Sequence, residues 1–207
     1  EIGLGFYLKK ENICIFILLL LLSCTPEAPD KRMIKARRST LVTKQLGGDF
    51  ILTRYLNNKT KKWSLSSSNG KIRIVYFGFT HCPDVCPTAL TKLANKLKKL
   101  SSSEIVKVQP IFISVDYKRD TAKKVKEYVE YFSKSNIGLT GTEAEIKKIT
   151  NQYGIYFKLI QQKDSVMGYT IDHTSRYIII NRNGLFYNSY SELDEIFFND
   201  LKKLIGN

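Results

Sequence analysis

Apolar and polar positions alternate in blocks along the chain, and the period within each block predicts its secondary structure. Residues 71–80, KIRIVYFGFT, are rich in β-branched and aromatic side chains and predict a buried strand. Residues 106–115 predict a second strand of the same kind. Between these strands, leucines recur at three- and four-residue spacing over residues 90–100, which is typical of an amphipathic helix.

Helical periods, glycine-rich segments and hairpin signals divide the second half of the chain in the same way. They predict helices over residues 121–132, 143–153 and 191–204, a turn at 138–141, and a hairpin of 175–180 with 185–190. The hairpin turn reads Asn-Arg-Asn-Gly, which is typical of a tight connection between strands. Thr142 is a candidate cap for the following helix, and Thr140 and Glu143 have the spacing of a capping box.

The order of these elements predicts the fold class. A short hairpin of residues 50–53 and 63–65 comes first, followed by strand, helix, strand, helix, a further hairpin and a last helix. This order indicates an α/β protein, a thioredoxin-like three-layer sandwich with an N-terminal β-hairpin extension. Residues 47–207 are numerous enough to bury one core of that kind.

The N-terminal residues predict a targeting segment. Residues 13–22, ICIFILLLLL, form an unbroken apolar run. The run is shorter than the roughly 20 residues of a membrane-spanning helix, and it fits the range of about 7–15 for the core of a secretory signal. The residues that end at Cys24 resemble a bacterial lipobox, in which the cysteine is lipidated; an uncleaved signal anchor is the alternative. We predict a signal or membrane-anchor segment over 1–24, a basic tether over 25–46 and a folded domain over 47–207.

The chain is strongly basic, with 33 Lys and Arg against 19 Asp and Glu and a net charge of +14. The lysines are scattered through every segment and are not clustered with stacking aromatic residues, so we predict no nucleic-acid binding. A solvated surface explains them, and attraction to anionic lipid or to an acidic partner is the alternative. Four cysteines are too few for a disulfide-rich scaffold, so each cysteine needs its own explanation.

Two of these cysteines, Cys82 and Cys86, lie in FTHCPDVCP, at the junction of the first buried strand with the following helix. Their four-residue spacing predicts both sulfurs on one side of a helical turn, where the helix N-terminus lowers a thiol pKa. Three intervening residues, one more than in a C-x-x-C redox motif, favour chelation over fast dithiol exchange, although the pair can still form a disulfide. Inert buried thiols are the alternative.

Two thiolates suit Cu(I) or Zn(II), and the two histidines help to choose between these metals. His81 adjoins Cys82 at the end of a strand, and we expect it to point away from the sulfurs. His173 lies before an apolar strand, in a loop that faces the start of the first helix on a thioredoxin-like scaffold. Three ligands then remain, which fits Cu(I) better than a four-ligand structural zinc site. Asp172 either orients the His173 imidazole or caps the turn.

Four motifs occur in an order that resembles one known family. They are FTHCPDVCP at 79–87, SVDYKRDT at 114–121, LTGT at 139–142 and DHTSRYII at 172–179. Together they are similar to the SCO/SenC family, copper proteins that assist the assembly of cytochrome c oxidase, over about residues 50–204. The resemblance implies a thioredoxin-like domain that binds one copper ion, Cu(I) or Cu(II), through Cys82, Cys86 and His173.

The resemblance also implies a function and a place. It implies a membrane-tethered copper chaperone that matures the dinuclear copper site of cytochrome c oxidase subunit II. The expected location is the periplasmic face of the bacterial cytoplasmic membrane, with a lipid or signal anchor. A thiol–disulfide oxidoreductase that reduces the cysteines of that site is the alternative, and beyond it we predict no enzyme activity. A peroxidase is a weaker third alternative, because core packing in the early hairpin explains the one tryptophan, Trp63.

The segment SVDYKRDT carries three further charged residues of interest, Asp116, Arg119 and Asp120. They match the charged loop that the SCO/SenC family has after its second strand. Either they form a charged turn and helix cap, or they dock a partner protein.

Overall fold

The computed structural model describes residues 45–163 and 165–206 and centres on a five-stranded mixed sheet. In chain order the elements are β1 (Ile51–Leu56), β2 (Lys59–Ser64), β3 (Ile72–Gly78), α1 (Val85–Leu97), α2 (Ser102–Ile105), β4 (Val108–Ser114), α3 (Ala122–Phe132), β5 (Ile137–Leu139), α4 (Glu143–Tyr153), β6 (Phe157–Gln161), β7 (Tyr169–His173), β8 (Tyr177–Ile180), β9 (Phe186–Tyr190) and α5 (Glu195–Gly206). The strand order of the main sheet is β5-β4-β3-β8-β9. Strands β3, β4 and β5 are parallel, whereas β8 and β9 are antiparallel to their neighbours.

The central strand β3 is buried at every position, because helices cover both faces of the sheet. Successive side chains point to opposite faces. Tyr76 packs on Tyr177, whose hydroxyl donates to the carbonyl of Ala89 in α1. On the other face, Phe77 packs on Tyr153 of α4. The predicted three-layer α/β sandwich is therefore confirmed.

The predicted N-terminal hairpin is also confirmed, as β1 and β2. Leu52 lies opposite Trp63 in the antiparallel register, and both side chains are buried. The turn consists of Asn57 and Asn58, both in the left-handed region, which is the conformation that a two-residue hairpin turn needs. Thr53 exchanges two backbone hydrogen bonds with Thr140, so the hairpin attaches to the main sheet just beyond β5.

Two predictions about the segment before α4 are wrong. The turn expected at 138–141 begins as strand β5, in which Gly138 lies so close to α3 that a Cβ atom would be 2.9 Å from the carbonyl oxygen of Val125. The glycine therefore permits a close helix–strand contact. The capping box joins Thr142 to Glu145, because the Thr142 hydroxyl accepts from the Glu145 amide while the Glu145 carboxylate accepts from the Thr142 amide.

A second hairpin, β6 with β7, was not predicted, and it forms a separate two-stranded sheet. Phe157 lies opposite His173, and Leu159 lies opposite Ile171. His173 is thus the last residue of a strand, whereas the sequence placed it in a loop. This hairpin positions the histidine of the candidate site.

No helix in the described stretches, 45–163 and 165–206, combines the length and hydropathy needed to cross a membrane. The predicted anchor over residues 1–24, with Cys24, lies outside the described residues.

Candidate metal centre

The two motif cysteines lie where β3 runs into α1. Cys86 is in the first turn of α1 and is fully buried, whereas Cys82 lies in the preceding loop and is partly exposed. The prediction that both cysteines share a helical turn is wrong. Cys82 precedes Pro83, and the proline ring disfavours the helical conformation at the residue before it. The Cys86 amide, at the helix N-terminus, donates instead to the Cys82 sulfur at 3.4 Å. Both thiols are free.

Gly78, the last residue of β3, allows the Cys86 sulfur to lie against the strand. A Cβ atom at this position would be 2.8 Å from the Cys86 sulfur and 2.8 Å from the ring of Phe112. Any larger residue would therefore displace one of these two groups.

His173 approaches the thiols from the end of β7, 87 positions away in sequence. Its Nε2 atom lies 3.7 Å from the sulfur of Cys86. Its Nδ1 atom is 3.2 Å from the carbonyl oxygen of Thr174, and the ring packs edge-on against Phe79. Because a carbonyl oxygen only accepts, this contact places a proton on Nδ1, and Nε2 is the ring nitrogen that faces the sulfurs. Asp172, which we considered as the residue that orients the imidazole, is exposed. The backbone carbonyl of Thr174 orients the His173 ring instead.

The two thiols have opposite pKa shifts. The pKa of Cys82 falls to about 4, chiefly because the Cys86 thiol donates a hydrogen bond to it, with further contributions from His173 and from the amides of Cys86 and Asp84. The pKa of Cys86 rises, because its proton is held by Cys82 and because the thiol is buried. At neutral pH the partly exposed Cys82 is therefore a thiolate, and the buried Cys86 is protonated.

The loop after β4 supports the thiol side of the site through Asp120. This buried carboxylate accepts hydrogen bonds from the Thr80 amide at 2.8 Å, the Thr80 hydroxyl at 2.6 Å and the Ser114 hydroxyl at 2.5 Å. His81 Nδ1 lies 3.1 Å from the Thr80 hydroxyl and 3.5 Å from Asp120. These contacts agree with the expectation that His81 turns away from the thiols.

The same loop reaches the β6–β7 hairpin through Asp116 and Arg119. The buried Asp116 carboxylate accepts from Arg119 Nε at 2.6 Å and from the Tyr169 hydroxyl at 2.6 Å. Arg119 Nη1 donates to the carbonyl oxygens of Met167 and Tyr169. Because both carboxylates of the loop are internal, the structural alternative is favoured over partner docking for Asp116 and Asp120.

Comparison with known proteins identifies the family. The model of the family described as SCO1/SenC matches residues 38–205. This chain belongs to the SCO1/SenC family. A SCO2-like protein of Rickettsia conorii is 35% identical over 170 residues, which cover 82% of this chain and 80% of the relative.

Solved structures of other Sco proteins share the fold of this SCO1/SenC domain. Arabidopsis thaliana ScoI with copper bound is 36% identical, with a TM-score of 0.68 over 78% of this chain and 99% of that one. Bradyrhizobium japonicum ScoI with copper bound is 38% identical, with a TM-score of 0.66 over 77% and 99% of the two chains. The predicted thioredoxin-like fold is thereby confirmed.

Within the part of the chain that the structure describes, two groups of metal-ligand side chains come together. In the first, Cys82, Cys86 and His173 offer two sulfurs and one imidazole nitrogen, a donor set that suits a soft metal. In the second, ligand atoms of His81, Asp116 and Asp120 lie within 4.8 Å of one another. The carboxylates of the second group already accept hydrogen bonds within the fold, so a cation there would have to displace those donors. The sulfur-containing group is the better candidate.

Proposed function

We propose that this protein binds one copper ion, as Cu(I) or Cu(II), through Cys82, Cys86 and His173 and acts as a copper chaperone in cytochrome c oxidase assembly. The observation that carries the proposal is the meeting of two free thiols and an imidazole, with Nε2 of His173 3.7 Å from the Cys86 sulfur. Membership of the SCO1/SenC family and the copper-bound structures of two Sco proteins support it.

The residues of the site divide the work of holding and releasing copper. Cys86 holds the ion from the buried side, whereas Cys82 and His173 are partly exposed, so thiols of a partner can reach the metal beside them. Three protein ligands leave a coordination position open, so a partner thiol can bind before a chaperone ligand leaves. Because ligands must be deprotonated, copper binding at neutral pH releases the proton of Cys86.

The proposal extends to the recipient and to the place of action. The recipient is the dinuclear copper site of cytochrome c oxidase subunit II. Residues 1–24 tether the domain to the bacterial cytoplasmic membrane, facing the periplasm, with Cys24 as the lipidated residue if the segment is cleaved. The net charge of +14 supports encounter with an acidic docking face on the partner.

A thiol–disulfide oxidoreductase is the second candidate, and the opposite pKa shifts of the two cysteines favour it. The Cys82 thiolate attacks a partner disulfide and forms a mixed disulfide, releasing one partner thiol. Cys86 then loses its proton and attacks Cys82, which forms the Cys82–Cys86 disulfide and releases the second partner thiol. Two electrons pass from this protein to the partner.

A transfer experiment with the soluble domain of subunit II separates the two functions. The full chain, kept in detergent and loaded with Cu(I), is expected to load copper into the acceptor with reduced thiols. His173→Ala is expected to abolish this transfer, while the metal-free variant still reduces the disulfide of the oxidised acceptor at the wild-type rate if the reductase function exists. Copper transfer by His173→Ala at the wild-type level would contradict the three-ligand chaperone.

A further inference from the structure

The position of His173 relative to the thiols depends on a hairpin outside the main sheet. Strand β7 pairs with β6 in a separate two-stranded sheet, so the hydrogen bonds of the main sheet do not fix it. Ile171 anchors the middle of β7 in the core. His173 stands at one end of the strand and Tyr169 at the other, about 13 Å away at the usual rise per strand residue.

Arg119 holds the Tyr169 end of this strand. Its Nη1 atom donates to the carbonyl oxygens of Tyr169 at 2.9 Å and Met167 at 3.1 Å, and its guanidinium carbon lies 3.6 Å from the centre of the Tyr169 ring. Asp116 fixes the guanidinium through Nε, and it also accepts from the Tyr169 hydroxyl. Charge-assisted hydrogen bonds and a stacked guanidinium together make a directional contact.

The next residue in sequence holds the other half of the site. Asp120 binds the amide and hydroxyl of Thr80, two residues before Cys82. Arg119 and Asp120, which are consecutive in one loop, therefore bind the two parts of the site. Arg119 binds the strand that carries His173, and Asp120 binds the loop that carries Cys82.

We propose that Arg119 is a positioning residue that holds the His173 imidazole in reach of the two thiols, so that its loss weakens metal binding through His173. This inference rests on the proposed copper function. It adds a residue that touches neither the thiols nor the imidazole, and it explains why a buried Asp–Arg–Tyr network lies beside the site.

The test is a double-mutant cycle with the full chain in detergent. Cu(I) affinity is measured by anaerobic competition with a chromophoric chelator for wild type, Arg119→Gln, His173→Ala and the double variant. Lys118→Gln is the matched control, since it removes a positive charge from the exposed neighbour in the same loop. Hydrogen exchange of the amides in 157–173, measured without metal, supplies the second readout.

We expect Arg119→Gln to weaken Cu(I) binding about 10- to 100-fold, the range typical of residues that orient ligands. Lys118→Gln should leave the affinity within about twofold, and Arg119→Gln should have no further effect in the His173→Ala background. Amides of 157–173 should exchange faster in Arg119→Gln than in wild type.

Two results would overturn the inference. One is unchanged affinity and exchange in Arg119→Gln. The other is an equal loss of affinity in the presence and absence of His173, which would show that Arg119 acts on the whole fold. If the wild type binds no Cu(I), the proposed function fails, and the exchange measurement alone then decides whether Arg119 holds the hairpin.

Discussion

At the scale of single residues, the candidate site combines the partly exposed thiolate of Cys82 with the buried thiol of Cys86. The sulfur of Cys82 receives hydrogen bonds from Cys86 and His173 and from the amides of Asp84 and Cys86, whereas Cys86 lies against Gly78 with its proton retained. An accessible thiolate reacts with molecules from solution much faster than a buried, protonated thiol does. The two cysteines therefore differ in accessibility and in protonation. Transfer of a metal ion and transfer of electrons to a partner both need one accessible sulfur of this kind.

This difference predicts the pH dependence of alkylation. Because the pKa of Cys82 is lowered to about 4, its thiolate persists as pH falls from 9 to about 5, and the reaction with iodoacetamide should lose half its rate only near pH 4. Peptide mapping of the metal-free chain separates Cys82 from the other three cysteines. Cys86→Ser replaces the thiol whose hydrogen bond lowers the pKa of Cys82 most strongly. In this variant the pH at which alkylation of Cys82 reaches half its full rate should therefore be higher. A wild-type midpoint near 8.5, the value of an ordinary cysteine, would contradict the described contacts.

At the scale of elements, the loop between β4 and α3 connects parts of the site that come from different strands. Asp120 binds Thr80, two residues beyond the end of β3, and Arg119 binds the start of β7. A single loop thus determines how far the thiols stand from the imidazole.

The role of Asp120 predicts a specific mutational effect. Asp120→Asn replaces one acceptor oxygen by an amide group that cannot accept from Thr80 or Ser114, so it should lower the free energy of unfolding by about 1–3 kcal/mol. Urea unfolding measures this change, and Cu(I) affinity should fall as well. Asp200→Asn is the control, because Asp200 accepts from the hydroxyls of Tyr187 and Tyr190 away from the thiols. The control Asp200→Asn should lose stability and keep the wild-type Cu(I) affinity. The same result for Asp120→Asn would contradict the role of Asp120 in supporting the metal site.

The elements differ in how far the sequence predicts them. Strands β3 and β4 and helices α1, α3 and α4 have long apolar periods, and these periods reflect burial directly. The β6–β7 hairpin was missed because each strand has five residues, only Ile171 of which is fully buried. The alternation of Phe157 and Leu159 with exposed Lys158 was the available signal.

The site was predicted to a similar, partial extent. The spacing of Cys82 and Cys86 and the separate His173 indicated a soft-metal site, and the structure brings these side chains together. The roles of Asp116 and Arg119 could not be predicted, because a buried ionic network and a solvated charged turn have the same sequence. Only the tertiary contact with Tyr169 distinguishes the two.

At the scale of the whole molecule, the sandwich brings together three chain segments that are distant in sequence. The junction of β3 with α1 supplies the thiols, the end of β7 supplies the imidazole, and the loop after β4 connects them. The remaining surface is rich in lysine and the net charge is +14. A solvated basic surface and a small site with soft ligands fit a carrier that meets a protein partner.

The central claim is that three side chains form one copper site, and an anaerobic Cu(I) titration of the full chain in detergent tests it most directly. The account predicts one tight equivalent for the wild type and loss of tight binding in Cys82→Ser, Cys86→Ser and His173→Ala. His81→Ala, which removes the other imidazole, should bind as the wild type does, because His81 contacts Asp120 and Thr80. Tight binding that survives His173→Ala, or that is lost in His81→Ala, would contradict the account.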